Sequence, residues 1–159
     1  MSLSIRPATP ADAPVIIDFN SRLAAESEGK TLDPARITPG VQAVLADPAK
    51  GRYFIAEEPG RGVLGQMMIT FEWSDWRNGW IWWIQSVYVR GEARRRGVFR
   101  ALYEHVLAHA RRQADVIGLR LYVDRENVGA QQTYLRLGMN SSNYFVLEKC
   151  PLDETGKSP

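Results

Sequence analysis

Cysteine is almost missing from this chain: Cys150 is the single one in 159 residues, so no disulfide can form within it. Long apolar runs are missing too. None approaches the roughly 18 residues of a membrane span, and the first 20 residues carry Arg6, Asp12 and Asp18, unlike a secretory signal. A cytoplasmic protein with no membrane contact is the resulting expectation. No internal repeat at periods of about 20 to 50 residues is visible, and no low-complexity stretch reads as a linker. Excess charge of one sign is absent as well, with 20 Lys+Arg against 18 Asp+Glu. A metal site is not expected either: His105 and His109 stand four apart, but no third ligand of known spacing accompanies them.

What is present is a hydrophobic fraction of 45%. A chain of this length buries about 68 to 70% of its surface on folding, enough for a core without staples. Residues 1–150 are expected to form a single domain, and 151–159 a polar, flexible tail that frays. The net charge of +2 hides an uneven distribution. Between Arg90 and Arg100 stand Arg90, Arg94, Arg95, Arg96 and Arg100 against Glu92, a window of +4 that leaves −2 for the rest.

Along the chain, Ser4 to Arg6 reads as a short strand. Thr9, Pro10 and Asp12 then form a helix start, and Val15, Ile16, Phe19 and Leu23 carry that helix over 10–25. Residues 26–33 read as a polar loop. Thr38-Pro39 predicts a second helix start and Asp47-Pro48 its end. Strands are expected at 53–56, 63–70 and 80–90, with the Asn78-Gly79 turn before the third. A helix over 97–112, a strand at 119–123, a helix over 127–137 and a last strand at 144–149 complete the reading. The order β-α-α-β-β-β-α-β-α-β implies an α+β fold with a mixed sheet, antiparallel first and then a parallel crossover.

Two segments stand out chemically. The strand ending near Arg90 runs through Arg94-Arg95-Arg96-Gly97-Val98-Phe99-Arg100 into a helix. Backbone N–H groups at a helix start with arginines beside them suit phosphate oxygens, although a solvated charged face has the same pattern. The Gly-Lys-Ser/Thr of a nucleotide P-loop and the glycines of a dinucleotide fingerprint are both lacking. In the second segment, steps of three and four put Asn127, Ala130 and Tyr134 on one helical face, with Asn127 suited to an N-cap. Each segment directly follows an expected strand, and two adjacent strand-to-helix turns can face one ligand.

These residues resemble the Gcn5-related N-acetyltransferase (GNAT) family, whose acyl-CoA loop reads Gln/Arg-x-x-Gly-x-Gly/Ala and whose later helix carries Asn-x-x-Ala-x-x-x-Tyr. Arg94, Gly97, Asn127, Ala130 and Tyr134 match in order, while Phe99 departs from the small residue at the end of the first motif. The resemblance implies the GNAT acyl-CoA N-acyltransferase fold: a central, mixed, mostly antiparallel sheet flanked by helices, with splayed parallel strands at the CoA site. It implies acetyl-CoA as co-substrate, no metal, and pantetheine amides pairing with backbone at Val87 and Val89. The pyrophosphate would take N–H groups from Arg95, Arg96, Gly97, Val98, Phe99 and Arg100, and the matched motif residues Arg94, Asn127, Ala130 and Tyr134 would belong to the cofactor-binding set as well. Tyr134 would protonate the departing thiolate, and a backbone N–H near Val87 would polarise the thioester carbonyl. A homodimer is a further expectation from the family.

Many relatives carry a Glu-Asp pair just before the position of Val87, where this chain has Gln85-Ser86. A lysine-like amine of pKa ~10.4 must lose ~4.6 kcal/mol to deprotonate at pH 7, an α-amine near ~8 only ~1.4. An acceptor of low pKa therefore suits a site without a base; the alternative is a water relay to Glu72, Asp75, Glu26 or Glu28. Trp73 and Trp76, placed in a turn, are candidates for acceptor contact or a subunit interface, while core packing competes for the other tryptophans. The leading expectation is an acetyl-CoA-dependent N-acetyltransferase, an acyltransferase transferring groups other than amino-acyl groups. It would move acetyl to a primary amine, a small molecule or an exposed amino group, by direct attack in a ternary complex. The alternative is a CoA-binding sensor or interaction module without turnover. Nucleic acid is not an expected partner, because the chain outside the basic window is acidic on balance.

Overall fold

The computed structural model describes residues 2–152. The chain divides into two compact units, Met1–Tyr122 and Val123–Pro159.

The first unit is built on a five-stranded sheet in sequential order, β1 (Ser4–Pro7), β2 (Arg52–Glu58), β3 (Gly62–Ser74), β4 (Gly79–Val89) and β5 (Val116–Leu121). The first three pairings are antiparallel and β4–β5 is parallel. The parallel step requires a crossover, supplied by α3 (Val98–Arg111). Residues alternate across the sheet. Tyr53, Ile55 and Met68 join Ala13, Ile16 and Val41 of α1 (Ala13–Glu28) and α2 (Pro34–Ala46) in one core cluster. Across the sheet, Phe54 and Trp82 meet the imidazoles of α3, with Phe54–His105 at 5.3 Å and Trp82–His109 at 5.9 Å. The histidine pair thus faces aromatic rings. Among the described residues no group of three metal-ligating side chains is close enough to hold an ion, and no helix is long and apolar enough to cross a membrane.

Several boundaries differ from the sequence expectations. A 3-10 turn, Pro10–Asp12, precedes α1, which continues to Glu28 and stops at Gly29 in the left-handed region (φ 63°). Glu26 and Glu28 are therefore helical, not part of a loop. α2 starts at Pro34, because the Asp33 side chain accepts from Ala35 N; Thr38-Pro39 lies inside the helix instead of opening it. A proline is tolerated there at the loss of one intrahelical bond. β3 runs through Trp73 to Ser74, so Trp73 belongs to a strand, where it pairs with Trp80. Helix and strand ends elsewhere move by one to four residues.

In the second unit the helix α4 (Val128–Arg136) is the sole regular element among the described residues. The strand expected at 144–149 does not form. Tyr144, Phe145, Val146 and Leu147 are all exposed, and among the described residues of their own unit no strand is present to pair with them. Apolar, β-prone residues make a strand only where a neighbour supplies the ladder. Most of the expected tail, 153–159, lies outside the described residues.

Candidate functional site

The chemistry concentrates where β4 loses its neighbour. Parallel pairing with β5 ends at Ile84–Leu121, yet β4 continues to Val89. From Gln85 to Val89 the β4 backbone keeps β3 on one side and has no β5 partner on the other. A row of strand N–H and C=O groups left open in this way accepts an extended ligand that pairs as a strand would. Val87 and Val89 stand in this row.

Within the row β4 carries a bulge. Gln66 opposes Tyr88 and Met68 opposes Gln85, so Ser86 and Val87 together face Met67. Ser86 takes the left-handed conformation, φ 51°. Bulges of this kind free backbone groups and redirect them. The Ser86 carbonyl is taken by a side chain: Gln66 Nε2 donates to it at 3.1 Å and to Asn20 Oδ1 at 2.9 Å, while Asn20 Nδ2 donates to Tyr53 OH at 3.1 Å. Gln66 is fully buried, and its Oε1 has no hydrogen-bond partner among the described residues.

Beyond β4, the chain turns through a 3-10 segment at Gly91–Ala93 and enters α3 at Gly97. Two residues with positive φ, Arg95 (62°) and Gly97 (80°), shape this loop. Ala93 and Val98 are buried and anchor it from both ends. Gly97 offers no side-chain cap, and the first backbone bond of the helix is Ala101 N to Gly97 O at 2.9 Å. The N–H groups of Val98, Phe99 and Arg100 thus precede the intrahelical ladder and, with the helix dipole behind them, suit an anion. Phe99 is half-buried and meets Tyr103 of the same helix, ring centroids 6.2 Å apart.

The arginine window is less positive than its formula. Arg96 reaches the buried Glu58 at 3.3 Å, Arg100 pairs with Glu104 at 2.7 Å and Arg90 with Glu92 at 3.9 Å. Arg94 donates through Nε to Val89 O at 3.0 Å, pairs with Glu26, and lies over the Tyr88 ring. Arg94 therefore ties the loop to the end of β4. Among the described residues Arg95 alone of the five forms no ion pair.

The carboxylates considered as proton acceptors are similarly engaged. Glu26 accepts from Arg94 and, at 2.8 Å, from Tyr88 OH; these bonds hold its pKa below the ordinary range, and burial raises that of Tyr88. Glu72 is bonded to Arg120 at 2.9 Å and to Trp83 Nε1 at 3.4 Å, and Glu28 pairs with Lys30 at 3.4 Å. Gln85 donates to Thr70 Oγ1 at 2.6 Å. Glu72 and Trp73 pair with Ile81 and Trp80, and Trp76 sits in the hairpin tip, 89% exposed. At about 3.4 Å per residue, Ile81, which faces Glu72, is roughly 20 Å from Val87, and the hairpin end at Gly79 roughly 27 Å. Glu26 is thus brought to the open edge of β4, whereas Glu72, Trp73 and Trp76 are not.

In the second unit, the Asn127 side chain accepts from Ala130 N at 3.0 Å and caps α4. Asn127 and Ala130 are in this way the two halves of one cap. Tyr134, two turns into the helix by sequence, is half-buried, and burial pushes its phenol pKa up.

Sequence reasoning picked out the loop, the cap and the β4 valines, and missed Gln66, Asn20, Tyr88 and Glu58. Gln66 is the single amide in the apolar run Leu64-Gly65-Gln66-Met67-Met68-Ile69, which was a readable signal of a specific partner. The bulge at Ser86 had none.

No protein of curated function matches the chain. A possible acetyltransferase from Clostridium difficile 630 is 42% identical over 94% of this chain and 97% of its own, with a TM-score of 0.87. A predicted acetyltransferase from Clostridium acetobutylicum, solved with acetyl-CoA, shares the fold at 17% identity and a TM-score of 0.74, over 93% and 96% of the two chains. So does a ribosomal-protein-alanine N-acetyltransferase from Brucella melitensis biovar Abortus 2308, at 15% identity and 0.72, over 93% and 100%. The profile described as Acetyltransferase (GNAT) family matches residues 20–139, and with it the open β4 edge and the uncapped α3 start identify the chain as a member of that family.

Proposed function

We propose that this protein is an acetyl-CoA-dependent N-acetyltransferase that acetylates a primary amine by direct attack in a ternary complex. The observation that carries the reading is the continuity of three features in one unit: the unpaired β4 edge from Gln85 to Val89, the bulge at Ser86–Val87, and the uncapped N-terminus of α3 with Arg95 beside it. Pantetheine pairs with backbone at Val87 and Val89. The pyrophosphate takes the N–H groups from Arg95 to Arg100, and Arg95, which forms no ion pair among the described residues, supplies the charge. The Val87 N–H polarises the thioester carbonyl, so that negative charge developing on its oxygen meets a fixed donor.

Proton transfers then define the chemistry. The amine attacks as the free base, its nitrogen bonding to the acetyl carbon; the C–S bond breaks, the thiolate leaves and takes a proton. Tyr134 suits that donation, because a phenol with a raised pKa stays protonated at neutral pH. Asn127 and Ala130 serve it indirectly by starting the helix that carries it. Acceptance of the ammonium proton falls to solvent: Gln85-Ser86 holds no carboxylate and Glu26 is held ionised by Arg94 and Tyr88. The acceptor is accordingly an amine of low pKa, an α-amino group or a small amine, before a lysine side chain.

Thiol release from acetyl-CoA over a panel of amines tests this. The rate at pH 7 should favour amines with pKa near ~8 over lysine-like amines, and should rise with pH until the acceptor's own pKa is passed. Tyr134→Phe should lower kcat about 100-fold while acetyl-CoA affinity changes little. Binding of acetyl-CoA with no thiol release for any amine would favour a CoA-binding sensor without turnover.

A further inference from the structure

Gln66 lies fully buried under the bulge of β4, and both acceptors of its amide are identified. Ser86 O and Asn20 Oδ1 lie 3.1 and 2.9 Å from Nε2, and Asn20 is itself oriented because its Nδ2 donates to Tyr53 OH. Two acceptors on one side fix which way the amide faces: turned over, Gln66 would set its oxygen against two other oxygens. The amide is thus placed by what its NH2 donates, to Asn20 Oδ1 and Ser86 O.

The peptide that Gln66 holds is the one that presents the Val87 N–H. In a trans peptide the C=O of one residue and the N–H of the next point in opposite directions. With the Ser86 carbonyl drawn to Gln66, the Val87 N–H points away from it. Ser86 at φ 51° needs such a hold, since an L-residue occupies the left-handed region only where its surroundings impose it.

We propose that Gln66 is a positioning residue for acyl transfer: its amide pins the Ser86 carbonyl and so aims the Val87 N–H at the thioester carbonyl. Asn20 and Tyr53 form the buried chain that orients Gln66. This rests on the acetyl-CoA reading above, through the role of Val87.

The test is isotope-edited infrared spectroscopy of acetyl-CoA labelled with carbon-13 at the thioester carbonyl, bound to the full chain, which needs no acceptor. In the wild type the bound carbonyl stretch should lie below that of free acetyl-CoA. Gln66→Met, similar in length but without a donor, should return it toward the free value with acetyl-CoA affinity within about threefold of wild type. With the preferred amine, kcat should fall about 10-fold or more, short of the roughly 10² to 10³ lost when an oxyanion donor is removed outright, and KM should hold. Asn20→Ala, which leaves the Gln66 amide in place but frees it to turn, should give an intermediate frequency and supplies the answer if the core substitution impairs folding. A wild-type frequency in whichever of these variants folds overturns the inference while the functional reading stands. Failure of the wild type to bind acetyl-CoA overturns the functional reading itself.

Discussion

Asp12 shows how much a single side chain does at the start of this chain. It accepts from both ends of the Arg6 guanidinium at 2.8 and 2.9 Å and from Thr9 N at 2.7 Å, closing the turn that leads into α1. Arg6 in turn reaches Glu57 on β2, so β1, the turn and β2 share one guanidinium. The Arg6 bonds hold the Asp12 carboxyl at about 2, below its ordinary 3.8. A depressed carboxylate pKa contributes stability that is present above the unfolded value and lost as pH falls through the folded one. Asp12→Asn should therefore cost about 1–2 kcal/mol near neutrality, and the difference from wild type should close between pH ~4 and ~2 in chemical denaturation. At the other end of the chemistry stands Glu26, which reads as a free acid in sequence and is in the structure the partner of Arg94 and Tyr88. Nothing in the spacing of Glu26 and Arg94, 68 residues apart, announces that pair.

Among the elements, the junction of β4 with α3 carries the site. Gly65 permits it: a Cβ there would meet Tyr88 O at 2.9 Å and Val98 Cγ1 at 3.1 Å, so strand and helix start close on bare backbone. Gly65→Ala should push these apart and lower the denaturant midpoint, by about 1–3 kcal/mol, because the strand carbonyl cannot yield as a side-chain tip would. The arginines of the loop divide by their partners. Arg95→Ala should weaken acetyl-CoA binding several-fold, with loss of part of the salt dependence. Arg100→Ala should do less, since Arg100 already has Glu104 at 2.7 Å. Titrations of both variants at two ionic strengths separate these expectations. Local elements of this kind were largely legible in the sequence: apolar residues four apart marked α3, Gly97 its start, and Asn127 the cap of α4. The Ser86 bulge and the entry of α2 at Pro34 were not, because a two-for-one pairing depends on register and one capping aspartate outcompeted a later Thr-Pro signal.

At the scale of the whole molecule, net charge and fold separate cleanly. The +4 window reads as an anion site by formula, but Glu26, Glu58, Glu92 and Glu104 each take one of its arginines, from sequence distances of 2 to 68 residues. What remains for a bound anion is Arg95 and the backbone N–H groups of α3, a more local and more directional site than charge counting implies. Topology was readable as far as the β4–β5 crossover, since each strand up to that point is set by its own alternation and turn. The expected last strand failed because pairing is a property of two segments, and residues 144–149 carry apolar character with no strand among the described residues of their unit to match. The open β4 edge, which depends on where β5 stops, could be expected only through likeness to the GNAT family. The most direct test of the account is calorimetric titration of the full chain with acetyl-CoA: saturable binding of one molecule per chain, weakening as salt is raised, is the predicted result, and the absence of any saturable heat at millimolar acetyl-CoA would contradict it.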